Sequence, residues 1–232
     1  MAILSELERS LTLLERDWEI DPLLKDFVLG RVTDATDSRH VSGGVTFHIP
    51  HLPSHGKYVL WKCYWPDCHN CCLNQGRLPL TSDDLITIGT GLKYRRTSEF
   101  VRKETLVATW QEPSGGATIT GINLKRKDDE TEGEDGTRIP CRFLDGSGSC
   151  SLHPARPGVC YLYPFTTWLE NEGGRARVHA TFQFTGDCPG FYLGDGISEM
   201  SHTLAEYSSI IYDYNMKYTR TVREGLGAAA LG

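Results

Sequence analysis

Apolar residues at the start of the chain recur at three- and four-residue steps: Leu4, Leu7, Leu11, Leu14 and Trp18, with charges between them. That period puts them on one face of a helix. Asp21-Pro22 opens a second short helix to about Arg31, with Leu23, Leu24, Phe27 and Val28 as its apolar set. From Thr33 to Gly56 the chain is rich in Gly, Pro, Ser and Asp and reads as an extended loop. Tyr58 to Trp61 is a short apolar run. Thr81-Ser82-Asp83-Asp84 has the form of a capping box, so a helix should run from there to about Thr90. Thr97 or Ser98 caps another helix, which carries Phe100 and Val101.

Alternation then replaces helical period. Leu106–Gln111 and Ala117–Leu124 flank Pro113-Ser114-Gly115-Gly116, a hairpin loop by composition. Lys125–Gly136 is charged and glycine-bearing and reads as a solvated loop, with Arg138–Leu144 a strand beyond it. Phe165–Glu170 and Arg175–Phe184 form a second hairpin around Asn171–Gly174. Ser198 opens a last helix to about Arg223, whose stripe of Leu204, Tyr207, Ile211, Tyr214 and Tyr218 reads as core packing. Gly225–Gly232 is a frayed tail. The pattern predicts an α+β fold: a small cysteine-rich metal-binding domain with β-hairpins over 57–197, an N-terminal helical arm and loop over 1–56, and a C-terminal helix and tail over 198–232.

Composition narrows the class. In 232 residues, 24 Lys and Arg stand against 30 Asp and Glu, a formal charge of −6. Net acidity argues against a dedicated nucleic-acid surface, although Lys93–Arg96 and Lys125–Lys127 are short basic runs. No apolar run reaches the roughly 18–20 residues of a membrane span. The first nine residues lack a basic region and meet acid at once, which predicts no secretory signal and a cytoplasmic protein. There is no G-x-S-x-G, H-E-x-x-H, P-loop or dinucleotide fingerprint.

The candidate chemistry lies in eight cysteines, none before Cys63 or after Cys188. Four are clustered: Cys63, Cys68, Cys71 and Cys72. Cys141, Cys150, Cys160 and Cys188 are dispersed, separated by 8, 9 and 27 residues. In a reducing compartment, grouped thiols hold metal more often than they form disulfides. Cys71 and Cys72 are adjacent and point in different directions in either a helix or a strand, so the pair can serve two neighbouring centres. Gly146 and Gly148 permit the turn that returns Cys150 towards Cys141. Pro154 and Pro157 stiffen the loop before Cys160. Cys188-Pro189-Gly190 looks like a terminal ligand on a turn. Eight thiolates make two sets of four. Cys63, Cys68 and Cys71 are expected on one centre, with Cys72 joining the second-cluster cysteines on the other. His153 and Arg156 are candidate cofactor contacts, through a ring nitrogen and through guanidinium hydrogen bonds to sulfur. His48, His51 and His55 suggest a further metal contact or a lid, against a plain reading as exposed loop histidines. Asp67 and His69 read as exposed spacers.

Three segments together resemble the CxxCxxCC cysteine-cluster family of zinc- or iron-chelating domains. The first is Cys63 to Cys72, followed by Leu80-Thr81-Ser82-Asp83-Asp84. The second runs Cys141-x-Phe143-Leu144, Cys150-x2-His153-x2-Arg156-Pro157-x2-Cys160-x3-Pro164-Phe165. The third is Cys188-Pro189-Gly190. The resemblance covers about residues 60–200. It departs from the pattern in the four-residue gap after Cys63 and in Tyr161, where the family often has Arg. The cysteine motif is also distantly similar to that of flagellin lysine-N-methylases, in which the resemblance implies an iron–sulfur cluster and extends the expectation to redox or methyl-transfer chemistry.

Both zinc and iron–sulfur centres take thiolates. Structural zinc favours paired knuckles, and this chain has no second knuckle; iron–sulfur cages tolerate a dispersed fourth ligand, and a Cys-Pro ligand is a ferredoxin feature. The expectation is one or two Cys-ligated centres, iron–sulfur of the 4Fe-4S form ahead of zinc. The alternative is a structural zinc domain acting as a protein-interaction module, with the helical arm docking a protein partner. No reaction or small-molecule substrate follows from the sequence.

Overall fold

The structure is a computed structural model that describes residues 5–73, 78–111, 118–126 and 141–224. The expected hairpin loop at 113–116, most of the charged run to Gly136 and the tail from Gly225 lie outside the described residues. The chain forms two compact units. Unit 1 comprises residues 1–71 and 163–212; unit 2 comprises residues 72–162 and 213–232. The expected boundaries near 56 and 197 both fall inside unit 1. The fold is α+β.

Unit 1 begins with helices α1 (Glu6–Trp18) and α2 (Pro22–Val28). The Ser5 hydroxyl oxygen caps α1 by accepting the Glu8 N–H at 3.1 Å. The apolar stripe of α1 is used locally: Leu11, Leu14 and Ile20 are buried, with Leu7, Trp18, Val28 and Leu29 packed on them. Gly186, at φ +78°, accepts this helix closely, since a Cβ there would stand 2.5 Å from Leu7 Cδ1.

The segment expected as a loop from Thr33 to Gly56 is instead a hairpin of β1 (Thr36–Ser42) and β2 (Val45–Leu52), followed by a short 3₁₀ turn at Pro53–His55. Its glycines mark the turn: Gly43 and Gly44 have φ of +53° and +83° between partners Ser42 and Val45. Val45, Phe47 and Ile49 alternate inward and are fully buried. Strand β2 continues the sheet through β3 (Lys57–Trp61), which pairs antiparallel with β9 (Phe191–Gly194). It also pairs in parallel with β8 (Arg175–Phe182), the partner of β7 (Phe165–Glu172) in the second expected hairpin. The order is β7-β8-β2-β3-β9, with β1 also on β2. Phe182 packs on both Phe165 and Phe191 in this core.

Unit 2 holds a three-stranded antiparallel sheet ordered β4 (Leu78–Leu80), β6 (Thr118–Leu124), β5 (Thr105–Gln111). Helices α4 (Ser82–Gly91) and α5 (Thr97–Glu104) pack beside it. Leu78, Leu80, Leu85, Ile88, Phe100, Ile122, Leu124 and Leu152 make its core. The capping box forms as expected, with Thr81 Oγ1 accepting the Asp84 N–H and Asp84 Oδ2 accepting the Thr81 N–H. Helix α5 differs: its N-cap is Arg96, with no side-chain cap bond. The expected strand at Arg138–Leu144 is absent from its described part, where Cys141–Phe143 turn and only Leu144 bridges to Cys150.

Two short elements complete the chain order. Helix α3 (Asn70–Leu73) carries Cys71 and Cys72, and the final helix α6 (Ser201–Glu224) follows a 3₁₀ turn at Ile197–Met200. Leu204 and Ile211 are fully buried in unit 1 and Tyr214 is buried in unit 2, so the stripe is core packing. Among the described residues no helix is long and apolar enough to cross a membrane.

Candidate metal centres

All eight cysteines are described, and none is in a disulfide. They fall four to each unit. Cys63, Cys68, Cys71 and Cys188 belong to unit 1; Cys72, Cys141, Cys150 and Cys160 belong to unit 2. The adjacent pair Cys71-Cys72 thus straddles the division.

In unit 1, strand pairing assembles the ligand ends. Trp61 is opposite Phe191 in the β3–β9 ladder, and the Lys62 N–H extends it to the Gly190 carbonyl at 3.0 Å. Cys63 therefore leaves β3 at the end where Cys188 enters β9. Gly190 is required by this approach, since a Cβ would fall 2.1 Å from the Lys62 oxygen. Cys68 sits on a turn whose N–H reaches the Tyr64 carbonyl at 3.1 Å. Asn70 Nδ2 donates to the Asp187 carbonyl at 2.7 Å, tying the start of α3 to the residue before Cys188. Trp61 Nε1 donates to Cys188 Sγ at 3.3 Å. Burial pushes the Cys188 thiol up to about 11, the Trp61 donor opposes this, and charge at Cys68 adds to the rise. Tyr163 is also raised, by burial first and then by charge at Cys188 and Asp187. Cys63 and Cys71 are exposed.

In unit 2, the Cys141 N–H donates to the Cys72 carbonyl at 2.7 Å and joins the end of α3 to the second cluster. The turn to Cys150 is built on Asp145, whose Oδ1 accepts the N–H groups of Ser147 at 2.8 Å and Ser149 at 2.9 Å. Gly148 supplies the positive φ, +83°. Cys160 lies in a 3₁₀ turn (Gly158–Tyr161), and Cys150 and Cys160 both pack against the unit 2 core. Burial is the first cause raising the Cys160 thiol, followed by charge at Cys141 and Cys72, while Arg156 opposes it. Cys141 is raised by burial too. Burial favours the neutral form of these sulfurs. A bound cation would offset that penalty, although among the described residues no three cysteine sulfurs all lie within 4.8 Å of one another, so neither set forms a closed single-ion site.

The other predicted contacts separate. The Arg156 guanidinium stacks 3.9 Å from the Tyr161 ring centroid, and its Nε is buried without a hydrogen-bond partner among the described residues. The Tyr161 hydroxyl donates to the Pro154 carbonyl at 2.9 Å, so this departure from the family pattern props the Arg156 loop. The His153 side chain is exposed, and its backbone N–H closes a turn onto Cys150 O at 3.1 Å. Asp67 is exposed as expected. His69 is not: it is half-buried edge-on to Trp65, and its Nδ1 is buried without a hydrogen-bond partner among the described residues.

His48, His51 and His55 do not converge. His48 and His51 are on β2, where a three-residue step puts them on opposite faces. His51 stacks on Tyr58 at 4.4 Å, and His55 is exposed. His48 instead contacts Asp37 and His179. That contact was not foreseeable from local spacing, because His179 lies on β8.

The family model of the CxxCxxCC domain, described as "putative zinc- or iron-chelating domain", matches residues 62–188. That is more than half the chain and contains all eight cysteines, and the chain belongs to this family. No curated protein matches it. No solved structure matches it either. The match supports metal chelation of the zinc or iron type.

Proposed function

We propose that the chain carries two thiolate-ligated iron–sulfur centres, of the 4Fe-4S form, and works as an electron-transfer or redox protein. Cys63, Cys68, Cys71 and Cys188 would hold one centre; Cys72, Cys141, Cys150 and Cys160 would hold the other. The observation that carries this reading is the four-and-four division of the cysteines between the units. The unit 1 set joins three close cysteines to a distant one and the unit 2 set is dispersed throughout, so neither has the paired knuckles of a structural zinc site. When bound, such a cluster supplies one-electron chemistry. The protein's own part is to shape its surroundings. Trp61 Nε1–H points at Cys188 sulfur, Arg156 places positive charge near Cys160, and burial at Cys160 and Cys188 limits water. Hydrogen bonds to sulfur, net charge and exposure are the terms that set a cluster's potential.

The test is anaerobic purification with elemental analysis for iron, sulfide and zinc, on the full chain and on Cys188→Ser and Cys160→Ser. A brown protein with about eight irons, halved in each variant, is the expected result. Stoichiometric zinc without sulfide would replace this reading with the structural one. Loss of all metal in either single variant would refute two independent centres.

A further inference from the structure

A second donor set lies in unit 1, made of nitrogen and oxygen rather than sulfur. Among the described residues, Glu170, Glu172 and His179 each place one ligand atom within 4.8 Å of the others. Glu170 and Glu172 are two residues apart on β7 and therefore share a face. His179, on the paired strand β8, is fully buried, with Trp168 stacked on its ring at 5.4 Å. Among the described residues its Nε2 has no hydrogen-bond partner. It stands 3.5 Å from Glu172 Oε1 and 3.7 Å from Glu170 Oε2, too far for a good hydrogen bond.

A relay of rings decides what that nitrogen presents. Asp37 Oδ2 lies 2.5 Å from His48 Nδ1, and His48 Nε2 lies 2.9 Å from His179 Nδ1. An ionised carboxylate only accepts, so His48 carries its proton on Nδ1. With neutral rings, His48 Nε2 is then the acceptor and His179 donates from Nδ1. His179 Nε2 is left with a bare lone pair aimed at two carboxylates. Three electron-rich atoms facing one another repel unless a cation lies between them. The outer contacts match a metal site as well. The ligating ring donates its other N–H into a fixed chain, and Glu172 offers Oε1 inward while Arg177 Nε holds its Oε2 at 3.0 Å. Ligand atoms about 2.1 Å from a tetrahedral ion are about 3.4 Å apart, close to the two spacings here.

We propose that Glu170, Glu172 and His179 bind a divalent first-row metal ion, separate from the cysteine centres. Three protein ligands leave further positions for water or a substrate oxygen, as in catalytic rather than structural sites. A cleft of about 420 Å³ lined by Phe27, Asp37, His48, Pro50, Trp168 and Thr181 opens the relay to solvent on its Asp37 side.

Mn²⁺ is the probe, because it prefers oxygen and nitrogen and competes poorly for thiolates. It would be titrated into the full chain with its cysteine centres as purified, and free Mn²⁺ followed by electron paramagnetic resonance. One equivalent should bind, broaden the His179 ring signals in NMR, and be lost in the double variant Glu170→Gln/Glu172→Gln. Both glutamates are at the surface, so the double variant should keep the native circular dichroism. Cys160→Ser should leave Mn²⁺ uptake unchanged. No uptake by the native chain, with His179 protonated on both nitrogens, would show an ion pair and overturn the proposal. Uptake that survives the double glutamate variant would overturn it too.

Discussion

Asp84 Oδ1 accepts the backbone N–H of Gly158 at 2.9 Å, two residues before Cys160. The same carboxylate caps its own helix through Oδ2, which accepts from Thr81 N and Thr81 Oγ1, both at 2.8 Å. One buried side chain therefore starts α4 and fixes the loop that carries Cys160. In the proposed unit 2 centre, Asp84 would act by placing the Cys160 loop and not as a ligand.

Replacing Asp84 by Ala strands three donors in a buried site. Loss of such bonds to a charged acceptor costs roughly 1.5–3 kcal/mol. Unit 2 should lose about that much stability in urea melts. Metal release to a chelator should quicken for the Cys160 centre and stay native for the Cys188 centre. Asp84→Asn should fall between, since it keeps one carbonyl acceptor but loses the charge at the helix start.

Gly190→Ala tests the other unit. A Cβ there meets the Lys62 carbonyl at 2.1 Å and Trp61 Nε1 at 2.7 Å, both on rigid groups. The β3–β9 ends must part, and with them Cys63 and Cys188. Overpacking of this kind costs on the order of 1–3 kcal/mol. The expected result is loss of half the bound metal by elemental analysis. Gly146→Ala is the control, because nothing lies within 4 Å of its added methyl. It should stay within about 0.5 kcal/mol of native.

How far these relationships were visible beforehand depended on range. The capping box at Thr81–Asp84 was legible because every partner lies within one helical turn. The pairing of 105–111 with 118–124 and the hairpin at 165–182 are legible from alternation on either side of turn-forming residues in the sequence. Local composition misleads between Thr33 and Gly56, where Gly43-Gly44 reads as loop but forms the turn between two strands. The described part of the strand expected at Arg138–Leu144 differs for the opposite reason: Cys141 and Leu144 look apolar and extended, but Asp145 folds the chain back. Spacing separates Cys63, Cys68 and Cys71 from Cys72 as the units do, whereas the placement of Cys188 with unit 1 depends on the β3–β9 pairing, which no spacing encodes. His179 joined His48 through a parallel β2–β8 pairing across more than a hundred residues. Sequence proximity grouped His48 with His51 and His55 instead.

Tyr94 provides a pH-dependent signature in unit 2. Its hydroxyl donates to Glu104 Oε1 at 2.6 Å, and that bond pushes the phenol up to about 12. The folded state therefore favours the protonated phenol. This stabilisation is complete below the unfolded value near ~10 and is lost as pH rises towards 12. The urea midpoint should fall across that alkaline window in the native protein and fall less in Tyr94→Phe. Ultraviolet titration of phenolate should lose one late-titrating tyrosine in the variant. An equal fall in both proteins would mean that the Glu104 contact does not govern this ionisation.

Arg156 is predicted to act on metal affinity rather than on folding. Its guanidinium carbon lies over the Tyr161 ring, which is itself anchored to Pro154, and its charge favours the Cys160 thiolate. Lysine retains charge but cannot stack as a plane, and methionine keeps bulk without charge. Outer contacts of this kind change metal affinity by about 10–100-fold when removed. Arg156→Met should therefore release the unit 2 metal to a competing chelator about tenfold more readily, and Arg156→Lys should do so by less. Tyr161→Phe should share part of the defect, because the ring stays but loses its anchor. Competition against a chromophoric chelator, read beside urea stability, separates the cases. A tenfold loss of affinity with an unchanged urea midpoint marks Arg156 as positioning charge at the centre. Parallel losses in both would assign it to the loop's packing alone.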